Sequence, residues 1–241
     1  MEIFVGCEKS CDQRAMQEVI NQIKNKPASV LGFATGSTPE GLYRGLIGKY
    51  RGGEVCFAKV KTFNLDEYIG IPKNHKCSYH YYMCNLLFSH INVDDKDINL
   101  PNGKAIDIDR ECEDYEKKIM RSGGIDLQIL GLGPNGHIAF NEPGTPFDSI
   151  THMANLTDST IKANSRFFDS PDQVPRQAIT MGIKTIMQAG RIIMMAKGKG
   201  KASIMRKALK GPVTPEVPAS VIQDHPNALV ILDNEAASKL E

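Results

Sequence analysis

The sequence predicts an α/β fold: a parallel sheet with helices on both faces. Two observations carry this. Short apolar runs alternate with longer stretches of helical periodicity along the chain. The run Ile125 to Leu130 is also almost continuously apolar, as a central parallel strand covered on both faces must be. A length of 241 residues suits one such domain and needs no disulfide or metal to complete a core.

Glu2 to Val5 reads as the first strand. Ser10 is the expected cap of a helix whose apolar positions Met16, Val19, Ile20 and Ile23 recur at helical spacing. Ser29 to Ala34 is a second strand, running into a turn and a helix bearing Leu42, Leu46 and Ile47, with Pro39 in its first turn. Val60 to Leu65 is a third strand, and Ser78 to Phe88 and Arg110 to Met120 are helices. Ala178 to Met181 and Ile192 to Ala196 read as strands, Lys199 to Lys210 as a helix, and Ala228 to Leu232 as the last strand. Asn141 to Pro175, with four prolines, is the least regular stretch; α/β domains place lids and binding loops in such segments.

Composition excludes several classes. Lys+Arg 29 against Asp+Glu 28 leaves a net charge of +1, which argues against a polyanion-coating protein and predicts no nucleic-acid partner. Hydrophobic residues at 41% and charged residues at 24% exclude whole-chain disorder. The longest apolar runs are too short to span a bilayer, and Met1 to Glu8 does not read as a targeting segment. The six cysteines form no C-x-x-C pair and have no zinc-finger spacing with His. They are expected to be small buried hydrophobes, and scattered free thiols fit the reducing cytoplasm.

Ligands of open α/β sheets bind beyond the carboxyl ends of the strands, and three segments there carry unusual residues. In Thr35-Gly36-Ser37-Thr38-Pro39, small residues precede a helix start, which suits a phosphate cradle without the lysine of a Walker loop. In Phe63 to Tyr68, Asp66 and Glu67 should point to opposite sides of an extended chain, so that one can serve as a base in a water-poor pocket. In Gly131 to Pro143, Pro134 and Asn135 break the dinucleotide-binding fingerprint, whereas His137, with Asn135 and Glu142 close in sequence, has the partners of a proton shuttle. Arg191 to Gly211 holds seven basic residues and no aromatic; most should form a solvated helix face, with one or two near Gly198 to Lys201 able to reach a phosphate.

Taken together, L-G-F-A-T-G-S-T-P-E-G-L-Y, F-N-L-D-E-Y, G-L-G-P-N-G-H-I-A-F-N-E-P and A-N-S-R-F-F, in this order, resemble the glucosamine-6-phosphate deaminase (isomerase) family from about residue 30 to residue 232. The resemblance implies a three-layer Rossmann-like domain shared with ribose-phosphate isomerases and phosphogluconolactonases. The chain, 1–241, is expected to form that single domain, with a lid at about 151–174. It implies the conversion of glucosamine 6-phosphate and water to fructose 6-phosphate and ammonium, with no metal or organic cofactor. Asp66 matches the base that moves a proton from C2 to C1. His137 matches the residue that opens the sugar ring, and Glu142 its carboxylate partner. Gly36, Ser37 and Thr38 match the phosphate loop, Arg166 and Lys201 the phosphate-binding cations, and Glu67 an acidic site residue.

Two departures from the family pattern bear on function. Many members have Asp where this chain has Asn135, so Asn135 is expected to orient His137 without adding charge. Allosteric, hexameric members carry a basic R-x-K pair after N-E-P, where this chain has His152-Met153-Ala154, and they extend further at the C-terminus. The expectation is a monomer or small homo-oligomer that N-acetylglucosamine 6-phosphate does not activate. A galactosamine 6-phosphate deaminase and a 6-phosphogluconolactonase-like enzyme are the alternatives. A non-enzymatic sugar-phosphate sensor would be expected to have lost Asp66 or His137, and both are present.

Overall fold

The computed structural model describes residues 1–165 and 168–240. Strands β1 (Glu2–Gly6), β2 (Val30–Phe33), β3 (Lys61–Asn64), β5 (Ile98–Asn99), β6 (Leu127–Leu130), β9 (Ile192–Ala196) and β10 (Ala228–Asp233) form one sheet. Its order is β1-β10-β9-β6-β2-β3-β5, and every neighbouring pair is parallel. Parallel neighbours need long crossovers. These hold helices α1 (Glu8–Asn25), α2 (Glu40–Arg51), α3 (Tyr79–Leu86), α4 (Ile108–Arg121), α6 (Ile183–Met187) and α7 (Ala202–Lys210).

Burial follows strand position. Every residue of β2, β6 and β9 is buried, so both faces of the sheet's centre are covered, as the apolar runs predict. The edge strand β1 is mostly exposed, and Ile3 and Val5 face solvent.

A second sheet of three antiparallel strands, β4 (Asp66–Tyr68), β8 (Gln177–Thr180) and β7 (His152–Asn155), packs around its own apolar cluster, which includes Tyr68, Phe140, Leu156 and Ala178. This corrects two expectations. The strand expected at Ala178 to Met181 belongs to the small sheet, not the parallel one. The irregular stretch after Asn141 contains β7 and helix α5 (Asp158–Asn164). Neither announces itself in sequence, because β7 is four residues with only its third buried.

Local corrections are small. Ser10 does not cap α1. Cys7 occupies the cap position, and the Ser10 hydroxyl donates to the Cys7 carbonyl at 2.8 Å inside the first turn. Pro39 precedes α2 rather than lying within it. Ser78 does cap α3, accepting from the Tyr81 amide. Of the cysteines, Cys11, Cys77 and Cys112 are buried as expected, whereas Cys7 and Cys56 are exposed.

The chain moves outward from β2 through β3 to β5, then returns to lay β6 on the other side of β2 and continues to β9 and β10. The sheet's direction therefore reverses between β2 and β6. A crevice at such a switch point, outside the strands' carboxyl ends, is where α/β sheets bind ligands.

Candidate active site

A cavity of about 570 Å³ opens at that switch point. This is ample for a small polar ligand. Its walls come from the segments that follow four adjacent strands. Ala34 to Thr38 follow β2, Leu65 and Asp66 follow β3, Gly131 to Phe140 follow β6, and Lys197 and Lys201 follow β9. Thr160 and Asn164 of α5 and Tyr79 of α3 add to them. The three motifs singled out in the sequence thus meet at one place.

At one end, the loop after β2 turns at Gly36, whose φ of 92° lies in the left-handed region that glycine adopts without strain. The Tyr82 hydroxyl donates to the Gly36 carbonyl at 2.9 Å, and the Tyr43 hydroxyl donates to that of Ala34 at 2.6 Å. Both bonds fix the loop from behind. Lys201, also in the lining, donates from Nζ to the Leu132 carbonyl at 2.6 Å. Lys197, expected on a solvated face, is instead drawn in and paired with Asp12 at 2.7 Å and Glu8 at 3.5 Å. Arg166, the other cation expected here, lies outside the described residues.

The lining also holds two carboxylates, Glu8 beside Lys197 and Asp66. Asp66 starts β4, is 6% exposed and lines the cavity. No hydrogen bond from the described residues reaches its carboxylate. Burial, with the neighbouring Glu67 charge adding to it, pushes its pKa up to about 8. Glu67 points away, as alternation along an extended chain demands. Its carboxylate accepts the backbone amides of Tyr68, Tyr79 and His80, each at 2.9 Å. Glu67 does not line the cavity; it ties β4 to the start of α3. Burial raises its pKa, and the three amides oppose the rise.

His137 hangs from the loop after β6. The loop closes on itself through Gly133 N to the His137 carbonyl at 2.9 Å and Gly136 N to the Gly133 carbonyl at 3.1 Å. The imidazole lies where a Gly133 side chain would be: a Cβ there would come within 2.1 Å of Nε2. Beyond His137, Ala139 has a φ of 51°, the one positive value among the described non-glycine residues, and it too lines the cavity. The strain is held by Phe140 N donating to Thr180 Oγ1 and by Asn141 Nδ2 donating to the Ile138 and Met181 carbonyls. Thr180 also pairs with Asp66 across β4 and β8, so one residue links that strand to the loop that follows His137.

Glu142 Oε2 stands 3.4 Å from His137 Nδ1, close enough for an ion pair but not aligned as a hydrogen bond. Asn135 was expected to orient His137. Its side-chain amide instead donates to Glu142 Oε2 at 2.7 Å, while its oxygen accepts the His137 backbone amide at 3.2 Å. It therefore holds the carboxylate and the loop rather than the ring. Burial pushes the Glu142 carboxyl up, but His137, Thr160 and Asn135 together outweigh it and hold the pKa at about 2.

Sequence reading did not find Thr157 and Thr160, which bond Glu142, nor Tyr79, which lines the cavity and stacks on Phe140. The only available signal was T-x-x-T just ahead of A-N-S-R. Among the described residues, no three His, Cys, Asp or Glu side chains group as metal ligands, and no helix is long and apolar enough to cross a membrane.

Residues 7–231 match the family described as glucosamine-6-phosphate isomerases/6-phosphogluconolactonase. The chain belongs to that family. Among the glucosamine-6-phosphate isomerase/6-phosphogluconolactonase relatives, it is 54% identical over 228 residues to a glucosamine-6-phosphate deaminase of Clostridium novyi (strain NT), covering 95% of each chain. It is 52% identical over 232 residues to another from Halothermothrix orenii, covering 96% of each. A solved monomeric glucosamine-6-phosphate deaminase superposes with a TM-score of 0.97 at 43% identity, covering 99% of this chain and 100% of its own. A 6-phosphogluconolactonase from Trypanosoma brucei shares the fold at a TM-score of 0.81 and 19% identity, covering 100% of this chain and 98% of its own.

Proposed function

We propose that this chain is a glucosamine-6-phosphate deaminase. The observation that carries the reading is Asp66: a buried carboxylate with no hydrogen bond from the described residues, facing the cavity that His137 and the Gly36 loop also line. Such a group suits proton abstraction from carbon, because no donor competes for its lone pairs. Deaminase relatives at 54% and 52% identity over nearly the whole chain support the same reading.

The phosphate sits at the cationic end, taken by the amides and hydroxyls of Gly36, Ser37 and Thr38, by Lys201 and by Arg166. His137 takes the proton of the anomeric hydroxyl and returns it to the ring oxygen. The C1–O5 bond breaks and leaves an aldehyde at C1. Glu142 faces Nδ1 and stabilises the imidazolium while it holds that proton. The aldehyde makes the C2 hydrogen acidic. Asp66 takes it while the substrate's ammonium gives a proton to O1, so that an enolamine forms, and Asp66 then delivers its proton to C1. The iminium left at C2 adds water, ammonia departs as ammonium, and fructose 6-phosphate remains. No electrons are gained or lost overall. Glu67 acts from behind by fixing β4, and Asn135 by holding Glu142.

The segment 151–174, with β7 and α5, serves as the lid of a single domain spanning 1–241. Where allosteric members carry R-x-K this chain has His152-Met153-Ala154. We therefore read it as a cytoplasmic enzyme, monomeric or a small oligomer, that follows a hyperbolic rate law with or without N-acetylglucosamine 6-phosphate. The test is incubation with glucosamine 6-phosphate, with galactosamine 6-phosphate and 6-phosphogluconolactone in parallel. Equal amounts of ammonium and fructose 6-phosphate from the first are expected. Turnover confined to either of the others overturns the proposal.

A further inference from the structure

Glu142 is held from two directions. Asn135, in the Gly-rich loop, bonds Oε2. On the other side Thr160 Oγ1 donates to Oε1 at 2.5 Å, and Thr157 Oγ1 donates to the same atom at 3.2 Å. Both threonines belong to the segment between β7 and β8. Thr157 is the N-cap of α5, its hydroxyl oxygen accepting the Thr160 amide, and Thr160 is 2% exposed.

A carboxylate is planar and rigid, so fixing one oxygen sets the rotation of the other. Here Oε1 belongs to the threonines, and Oε2 is the atom that faces His137 Nδ1. That contact is 3.4 Å and misaligned, and Nδ1 is buried without another hydrogen bond among the described residues. A small rotation of the Glu142 carboxylate therefore decides whether the bond forms. In the sequence, α5 ends at Asn164, two residues before Arg166.

We propose that Thr160 is a positioning residue for sugar-ring opening: its hydroxyl sets the Glu142 carboxylate and, through it, the His137 imidazole. This rests on the deaminase reading above.

The test compares the parent, Thr160→Val and Thr160→Ser in the full chain, with three readouts: kcat and KM on glucosamine 6-phosphate, and binding of 2-amino-2-deoxyglucitol 6-phosphate. That reduced, acyclic analogue carries the phosphate and amine but has no ring to open. Thr160→Val should lower kcat roughly ten- to thirtyfold, the scale of one hydrogen bond to a charged group. KM and analogue binding should change less than about twofold, because ground-state contacts are kept. Thr160→Ser should restore most of the rate. Near-parental kcat in Thr160→Val overturns the proposal. So does equal loss in the serine variant, or analogue binding that falls in step with kcat, since either marks a merely structural role. If Thr160→Val is insoluble, Thr160→Ala carries the same comparison without added bulk at Cβ. A parent that releases no ammonium instead removes the deaminase reading itself.

Discussion

The carboxylates of Asp66 and Glu67 are adjacent in the chain and face opposite ways: Asp66 lines the cavity without a hydrogen bond from the described residues, and Glu67 accepts three backbone amides behind it. Burial and the Glu67 charge both work against ionising Asp66, which lifts it to about 8. In the free enzyme the neutral acid is therefore favoured, and only the fraction of Asp66 that has lost its proton can act as the base, so activity should rise with pH toward 8. Infrared difference spectra between the parent and Asp66→Asn should show a protonated carboxyl that disappears with a midpoint near pH 8. Glu67→Gln removes the like charge, so the midpoint should move down. A midpoint near 4 in the parent contradicts this account.

The same shift makes a stability statement. The Asp66 pKa is higher folded, at about 8, than its ordinary 3.8. Its contribution to stability is thus full below about pH 4 and is lost as pH rises through about 8. Asp66→Asn, which cannot ionise, should match the parent near pH 4. It should exceed the parent at pH 9 by on the order of a few kcal/mol in urea unfolding. An unchanged difference between the two pH values would show that Asp66 titrates alike folded and unfolded.

Gly133→Ala tests the seat of the imidazole. The added methyl would collide with the His137 ring, with Nε2 only 2.1 Å away. The ring must swing out, and kcat should fall by roughly a hundredfold, the cost of about 1 Å of misplacement at a reacting group. Binding of the acyclic analogue should persist. Normal turnover in this variant would mean that His137 does not act from the position described.

Lys201→Ala tests the phosphate end. Lys201 Nζ reaches the cavity wall at the Leu132 carbonyl. Its removal should weaken competitive inhibition by inorganic phosphate roughly tenfold, as expected for one charge-assisted contact, with a matching rise in KM and a smaller change in kcat. If phosphate inhibits both forms equally, the anion is held elsewhere.

Much of this was legible in the sequence. The buried strands β2, β6 and β9 are apolar runs, and covering both faces of a strand leaves that mark. The Gly36 loop, Asp66 and His137 stand at strand ends, and the strand order brings those ends together. What stayed hidden depends on contacts distant in the chain. Nothing local distinguishes Thr160 from any other helix threonine; its partner is eighteen residues back in a different loop. Lys197 sits in a basic run that reads as solvated, yet it is paired with Asp12, 185 positions away. Asn135 was recognised as a partner, but which atom it would bond depended on how the loop closed. Strand β7 carries too few apolar residues to be seen without β8 beside it.

The central claim is that Asp66 is the base of an isomerising deaminase. Steady-state turnover of glucosamine 6-phosphate by the parent and by Asp66→Asn, with ammonium and fructose 6-phosphate both quantified, tests it most directly. Equal amounts of the two products are expected from the parent. For Asp66→Asn, turnover lower by roughly a thousandfold or more is expected, within the range lost with a general base, with binding of the acyclic analogue preserved. Turnover by Asp66→Asn within about tenfold of the parent would contradict it.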